Sequence, residues 1–172
     1  MKFMQYTLSI AMLIMMSNAW VANGKTVPLA GGSNGIAEFS LVPMHRIRAR
    51  LKLVANVDDG KPAIVVTFTK YGDERRLLAL EARLKDKLSD VRAIAIRYRI
   101  KSSRGKSPRL AVLFFDADGG IWFKRSANPL IIGKFTDMRL PVSRLRQVAF
   151  SDDPSGKVEF DKVDKVWLGL LF

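Results

Sequence analysis

Two short segments hold the residues whose types and spacing could do chemistry. In Ile47-Arg48-Ala49-Arg50-Leu51-Lys52-Leu53 the odd positions are apolar and the even ones cationic. In Val91 to Lys101, Ile94, Ile96, Tyr98 and Ile100 share one parity, while Arg97, Arg99 and Lys101 share the other. A period of two puts Arg48, Arg50 and Lys52 on one face of a strand, and Arg97, Arg99 and Lys101 on one face of another. Side chains two apart on a strand stand ~7 Å from each other. If the two strands fall in one sheet, they form a cationic field that grips carboxylates or sulfates, with Arg giving bidentate contacts. If they do not, they are two unrelated solvated faces that discourage edge aggregation. Both readings stay open at this level.

Three aromatic residues carry a second kind of chemistry, stacking on a flat ligand. Trp122 lies on the opposite strand face from Ile121 and Phe123 and shares its own with Lys124, which makes it the best placed. Trp167, among Val166, Leu168 and Leu170, is expected to be buried, as is Tyr98 on the apolar side of its strand. An aromatic inside an alternating strand is also an ordinary core residue.

Catalytic groups are sparse. His45 is the only histidine and there is no cysteine, so a His-based triad, a multi-His metal site and thiolate chemistry have no residues to use. Glu38, Glu74, Glu81 and Glu159 offer carboxylates for a glycosidase-like pair, yet three of them sit in polar, charged stretches that read as solvated surface. Asp116 and Asp118 supply two oxygens' worth of a calcium site that needs six or more. They read better, with Gly119 and Gly120, as hairpin-turn residues. The expectation is a non-catalytic chain with no cofactor and no metal.

The chain has 172 residues, room for one domain with a real core. Its apolar content of 48% excludes a disordered polymer, and the formal net charge of +13 favours polyanionic partners. Met1 to Ala19 has a basic start at Lys2, an apolar run from Leu8 to Met16 and the small-residue tripeptide Ser17-Asn18-Ala19. That is the layout of a signal peptide, so residues 1–19 are read as an export signal, with an uncleaved anchor as the alternative. No transmembrane segment is expected in the mature chain. Residues 20–35, with Asn23-Gly24, Pro28, Gly31-Gly32 and Asn34-Gly35, read as a flexible lead-in.

Residues 36–172 read as strands. Ala63 to Thr69 is rich in β-branched residues after the turn Asp58-Asp59-Gly60. Leu77 to Leu84 has a helix-forming composition but also alternates, and its neighbours favour a strand. Leu110 to Phe115 and Ile121 to Lys124 flank Asp116-Ala117-Asp118-Gly119-Gly120 as a hairpin, apolar on both faces of its first arm and so set deep in the fold. Phe135 to Leu140 runs into Pro141, which disfavours a central position. Arg146 to Phe150 and Val163 to Phe172 complete the set. The expected fold class is all-β, a two-sheet antiparallel β-sandwich or jelly roll.

Four segments resemble galactose-binding-like jelly-roll modules of the carbohydrate-binding-module type. They are Leu88 to Tyr98, Leu110 to Trp122 with its Asp-Gly turn, Phe135 to Ser143 with its Leu140-Pro141-Val142-Ser143 corner, and Phe160 to Gly169. The resemblance spans roughly Gly35 to Phe172. Such modules are often appended to secreted glycoside hydrolases and bind or position carbohydrate. It implies an exported, periplasmic or extracellular carbohydrate-associated binding module, with a polysaccharide or other polyanionic envelope component as partner. Candidate ligand-binding residues are Arg48, Arg50, Lys52, Arg97, Arg99, Lys101 and Trp122. Two alternatives stand beside it: an envelope structural or protein-interaction module that uses its basic faces, and the N-terminal accessory domain of a truncated glycoside hydrolase. Specific nucleic-acid binding is not expected, since the charge comes with neither a recognition helix nor an aromatic strand motif.

Overall fold

The computed structural model describes residues 6–11, 20–22, 25–27, 37–42, 47–54, 63–70, 77–88, 91–101 and 107–172. Thirteen strands are found among them: β1 Tyr6–Ala11, β2 Trp20–Ala22, β3 Lys25–Val27, β4 Ala37–Leu41, β5 Ile47–Val54, β6 Ala63–Lys70, β7 Leu77–Leu84, β8 Ala93–Lys101, β9 Arg109–Asp116, β10 Ile121–Arg125, β11 Thr136–Pro141, β12 Arg146–Gln147 and β13 Val163–Leu171. One 3-10 turn, Phe160–Lys162, leads into β13. The all-β expectation is met: every strand pairing is antiparallel, in two sheets.

The first sheet runs β5-β6-β1-β8. Ile94 of β8 pairs with Leu140 of β11 and with Trp20 of β2, so β11 lies along one edge of β8 while β2 and β1 meet the other. The second sheet runs β12-β10-β9-β13-β7-β4. β1 lies within the segment read as an export signal, and β2 and β3, within the lead-in, form a three-residue antiparallel pair. Leu77–Leu84 is a strand because β13 and β4 pair along its two edges, which outweighs its helical composition. Pro141 ends β11, whose one described partner is β8, so its missing N–H interrupts no central ladder.

Alternation in each sheet sends one parity inward. From the first sheet come Ile64, Val66 and Phe68 of β6 and Ile94, Ile96, Tyr98 and Ile100 of β8. From the second come Leu78 and Leu80 of β7, Leu110, Val112 and Phe114 of β9, and Val166, Leu168 and Leu170 of β13. These side chains are almost wholly removed from water, and each is worth roughly 1.5–3 kcal/mol of burial. The hairpin β9–β10 is internal as expected, because β13 covers the other edge of β9. The sheets are thereby fixed back to back, leaving two outward faces.

Candidate functional site

The pairing register decides how the basic stripes relate. Arg50 stands opposite Thr67 of β6, Thr67 opposite Ser9 of β1, and Ser9 opposite Lys101 of β8. Residues in one such row point to the same side of a sheet. Arg48, Arg50 and Lys52 therefore share the outward face of the first sheet with Arg97, Arg99 and Lys101. Three inter-strand steps separate the stripes, a distance of ~14 Å. Of the two readings that the sequence left open, the single shared face is the one the fold contains. Arg48, Arg50, Lys52 and Lys101 are exposed, while Arg97 and Arg99 are partly covered.

The partial cover comes from a residue that local patterning did not single out. Phe135 stands one residue before Thr136, which pairs with Tyr98, so it falls beside Arg99 on the outward face. The Arg99 guanidinium carbon lies 4.4 Å from the Phe135 ring centre and that of Arg97 lies 5.1 Å from it. Both are within cation–π range. Asp137 and Arg139 continue the row along β11, opposite Arg97 and Ala95.

Trp122 requires a correction. It does share a face with Lys124, but that face is the inner one: Trp122 is opposite Phe114, is 3% exposed, and donates its indole N–H to Asp116 Oδ2 at 3.2 Å. Lys124, partly exposed near the end of β10, donates to the Ser143 carbonyl at 2.6 Å. Trp122 therefore offers no ring to a ligand.

Trp167 departs from expectation in the opposite sense. It is half-buried on the outward face of the second sheet, its ring 4.7 Å from that of Phe115. Its indole N–H donates to Glu81 Oε2 at 3.0 Å, and Arg83 Nε donates to Glu81 Oε1 at 2.8 Å. The Arg83 hydrogen bond, helped by that of Trp167 and by the charge of Lys165, holds the Glu81 carboxyl below the usual glutamate range despite the opposing effect of burial. Lys165 Nζ sits 4.5 Å from the Phe115 ring centre.

Four further carboxylates, those of Asp116, Asp118, Glu159 and Glu38, are tied up in structure. Asp116 Oδ1 accepts the backbone N–H of Asp118 at 3.1 Å and of Gly120 at 2.6 Å. Asp118 and Glu159 both pair with Lys162 at 2.7 Å, and Glu38 pairs with Lys85 at 3.1 Å. Among the described residues no group of three or more His, Cys, Asp or Glu side chains is arranged to hold a metal ion. His45 and Glu74 lie outside the described residues. No helix among them is long and apolar enough to cross a membrane.

Two sheets stacked back to back, with a broad outward face on each, define an antiparallel β-sandwich. The fold is similar to that of a family 11 carbohydrate-binding module from Clostridium thermocellum in complex with a β-1,3-1,4-mixed-linked tetrasaccharide. That likeness has a TM-score of 0.55 and 15% identity, over 82% of this chain and 84% of that one. It is equally similar, at TM-score 0.55 and 15% identity over 81% and 82% of the two chains, to the family 11 module of the cellulosomal cellulase Lic26A-Cel5E of the same organism. No protein-family model matches the sequence, and no curated protein is a significant match. At this identity the likeness establishes the fold alone.

Proposed function

We propose that this chain is an exported, non-catalytic carbohydrate-binding module that grips acidic glycans on the cationic outward face of its first sheet. The observation that carries the reading is the shared face. Six arginines and lysines, Arg48, Arg50, Lys52, Arg97, Arg99 and Lys101, stand on one sheet of a fold whose solved neighbours are carbohydrate-binding modules. A sheet face with cationic rows on two strands three steps apart suits a linear polyanion laid across the strands. The reading needs no cofactor. Its partner is a polysaccharide or another polyanionic component of the envelope, and binding DNA at low salt would not count for or against it, since any polycation does so.

Export belongs to the same reading. Cleavage after Ala19 removes β1, the strand that joins β6 to β8, so in the mature chain the shared face requires β6 and β8 to pair directly, as parallel neighbours. Intact-mass measurement of the protein recovered from outside the cytoplasm tests this. A product that starts after Ala19 supports it, and a full-length product retained in the cytoplasm overturns it. Affinity electrophoresis through a panel of acidic and neutral polysaccharides tests the binding. Retardation by acidic glycans at low salt is expected, and no retardation by any glycan overturns the function.

A further inference from the structure

We infer that Ile131 and Ile132 form a lipid-inserting tip, by which one end of the sandwich docks on an anionic bilayer surface. The inference goes beyond the proposed function and does not rest on it: glycan and bilayer share only Lys101. Among the described residues, the large apolar side chains left exposed are Ile131, Ile132 and Phe150, at 46%, 37% and 73%. Two of the three are adjacent, in the connection from β10 to β11.

That exposure is built into the connection. Ser126, itself buried, donates its N–H to the Leu110 carbonyl at 2.8 Å and its hydroxyl to the Asn128 carbonyl at 2.7 Å. Its hydroxyl also accepts the Leu110 N–H at 3.1 Å. Leu130 is buried and donates to the Pro108 carbonyl at 2.7 Å. The hydroxyl of buried Tyr98 accepts the Ile131 N–H at 3.0 Å, and Gly133 donates to the Ile100 carbonyl at 2.8 Å. Turning the isoleucines inward would break these bonds, so the backbone holds both side chains out in water.

The charges select the partner. β9 begins at Arg109, beside this connection, and ends at Asp116, ~24 Å away at the other end of the sandwich. Residues 100–101, 107–110 and 125–135 carry Lys101, Arg109, Arg125 and Lys134 and no acidic residue. The end marked by Asp116 also holds Asp118, Asp152 and Glu159, with Lys162 between two of them. A negative surface therefore attracts the aliphatic tip and repels the opposite end. Phe150 lies at that acidic end, where Ser151 Oγ accepts the Ile121 N–H at 2.9 Å, and is followed by Asp152 and Asp153. It has the exposure of an anchor without the cations. A soluble polyanion would use the lysines and leave both isoleucines in water, whereas a bilayer takes up the apolar pair and its flanking cations together.

The chain has no cysteine, so Ile131→Cys and Phe150→Cys each give one attachment point for an environment-sensitive fluorophore. With vesicles of phosphatidylcholine and phosphatidylglycerol, the probe on Ile131→Cys is expected to shift to the blue and that on Phe150→Cys to stay unchanged. In sedimentation with the same vesicles, Ile131→Ser with Ile132→Ser is expected to weaken binding of the full chain roughly tenfold or more, and Lys101→Ala with Lys134→Ala about tenfold. Any contribution from the apolar run Leu8 to Met16 is common to every variant. No shift on Ile131→Cys, an equal shift on Phe150→Cys, or wild-type binding by the isoleucine variant overturns the inference. Equal binding to vesicles of phosphatidylcholine alone overturns the anionic surface. The isoleucine variant should keep wild-type retention on acidic glycans. Vesicle binding without retention on any glycan would overturn the proposed function and leave the lipid tip standing.

Discussion

Trp122 and Asp116 face each other across the β9–β10 hairpin, and the indole N–H of the first donates to the carboxylate of the second at 3.2 Å inside the sandwich. Asp116 also accepts the backbone N–H groups of Asp118 and Gly120, so one buried carboxylate ties a polar turn to the aromatic core. Asp116→Ala leaves three donors without this acceptor in a buried place and is expected to cost about 3 kcal/mol. Urea denaturation followed by tryptophan fluorescence checks it. Wild-type stability would show that the turn finds its hydrogen bonds elsewhere.

Gly120 makes the same point from the backbone. A Cβ at this position collides with the Asp116 carboxylate group that Gly120 N–H itself contacts. Gly120→Ala is expected to destabilise by about 1–3 kcal/mol through this overlap, although the glycine needs no left-handed backbone. Asp116→Ala combined with Gly120→Ala should cost less than the two single changes added together, because the colliding group is gone. Strict additivity would refute the shared origin.

Gly169, in the middle of β13, is covered by the side chain of Leu77 from the neighbouring strand. A Cβ here would stand 2.6 Å from Leu77 Cδ1 and 2.7 Å from the Leu78 carbonyl oxygen. The side chain can turn away, but the ladder oxygen cannot. Gly169→Ala is expected to lower stability by about 1–3 kcal/mol, and adding Leu77→Ala should fail to restore it. Full restoration by the double change would mean that the side chain alone sets the limit.

How much of this was legible in the sequence depended on how one-sided each strand is. β5 and the second half of β8 were clear because cations and apolar residues alternate over Ile47 to Leu53 and Ile96 to Lys101, so only one face can be inside. β10 was not: Ile121, Trp122 and Phe123 are apolar in succession, and local pattern has no means of ranking two apolar faces. The ranking comes from β9, which puts Trp122 opposite Phe114, and from the carboxylate of Asp116, which only the fold brings to the indole. Trp167 shows the mirror-image case, an aromatic in an apolar run whose parity falls on the outward face beside Glu81. That the two basic stripes share a sheet depends on pairings up to dozens of residues apart, as does the meeting of Phe135 with Arg99. Neither leaves a mark in residue spacing. The helix-like composition of Leu77–Leu84 yields to its strand neighbours, which pair along both of its edges.

Glu81 gives a pH signature. Its carboxyl is held below the usual range by the Arg83 hydrogen bond, with Trp167 adding to it. A depressed pKa means that the folded state prefers the ionised form more than the unfolded chain does. The stabilisation is therefore complete above the unfolded value, near 4.5, and is lost as the pH falls below it through the folded value. Glu81→Gln is expected to be less stable than the wild type by about 1 kcal/mol at neutral pH, with the gap closing in acid. A gap that stays constant from pH 7 down to acid unfolding would exclude this role for the carboxylate.

Salt and two substitutions separate the outward face from the core as the binding surface. Arg50 and Lys52 are exposed, so their contacts with a polyanion are screened by counterions, and retention on an acidic glycan should fall steeply between low and physiological salt. Replacing both with Ala is expected to weaken binding roughly tenfold and to flatten that salt dependence, with little change in stability. Trp122→Phe should do the reverse. It removes the hydrogen bond to Asp116 and some packing, costing about 1–3 kcal/mol of stability, while the affinity of the folded protein for glycan stays at the wild-type level. Measured together, melting curves and affinity electrophoresis at two salt concentrations give each variant a pair of values. If Trp122→Phe lost affinity while still folded, or the Arg50 and Lys52 change left it untouched, the ligand would have to sit somewhere other than the cationic face of β5 and β8.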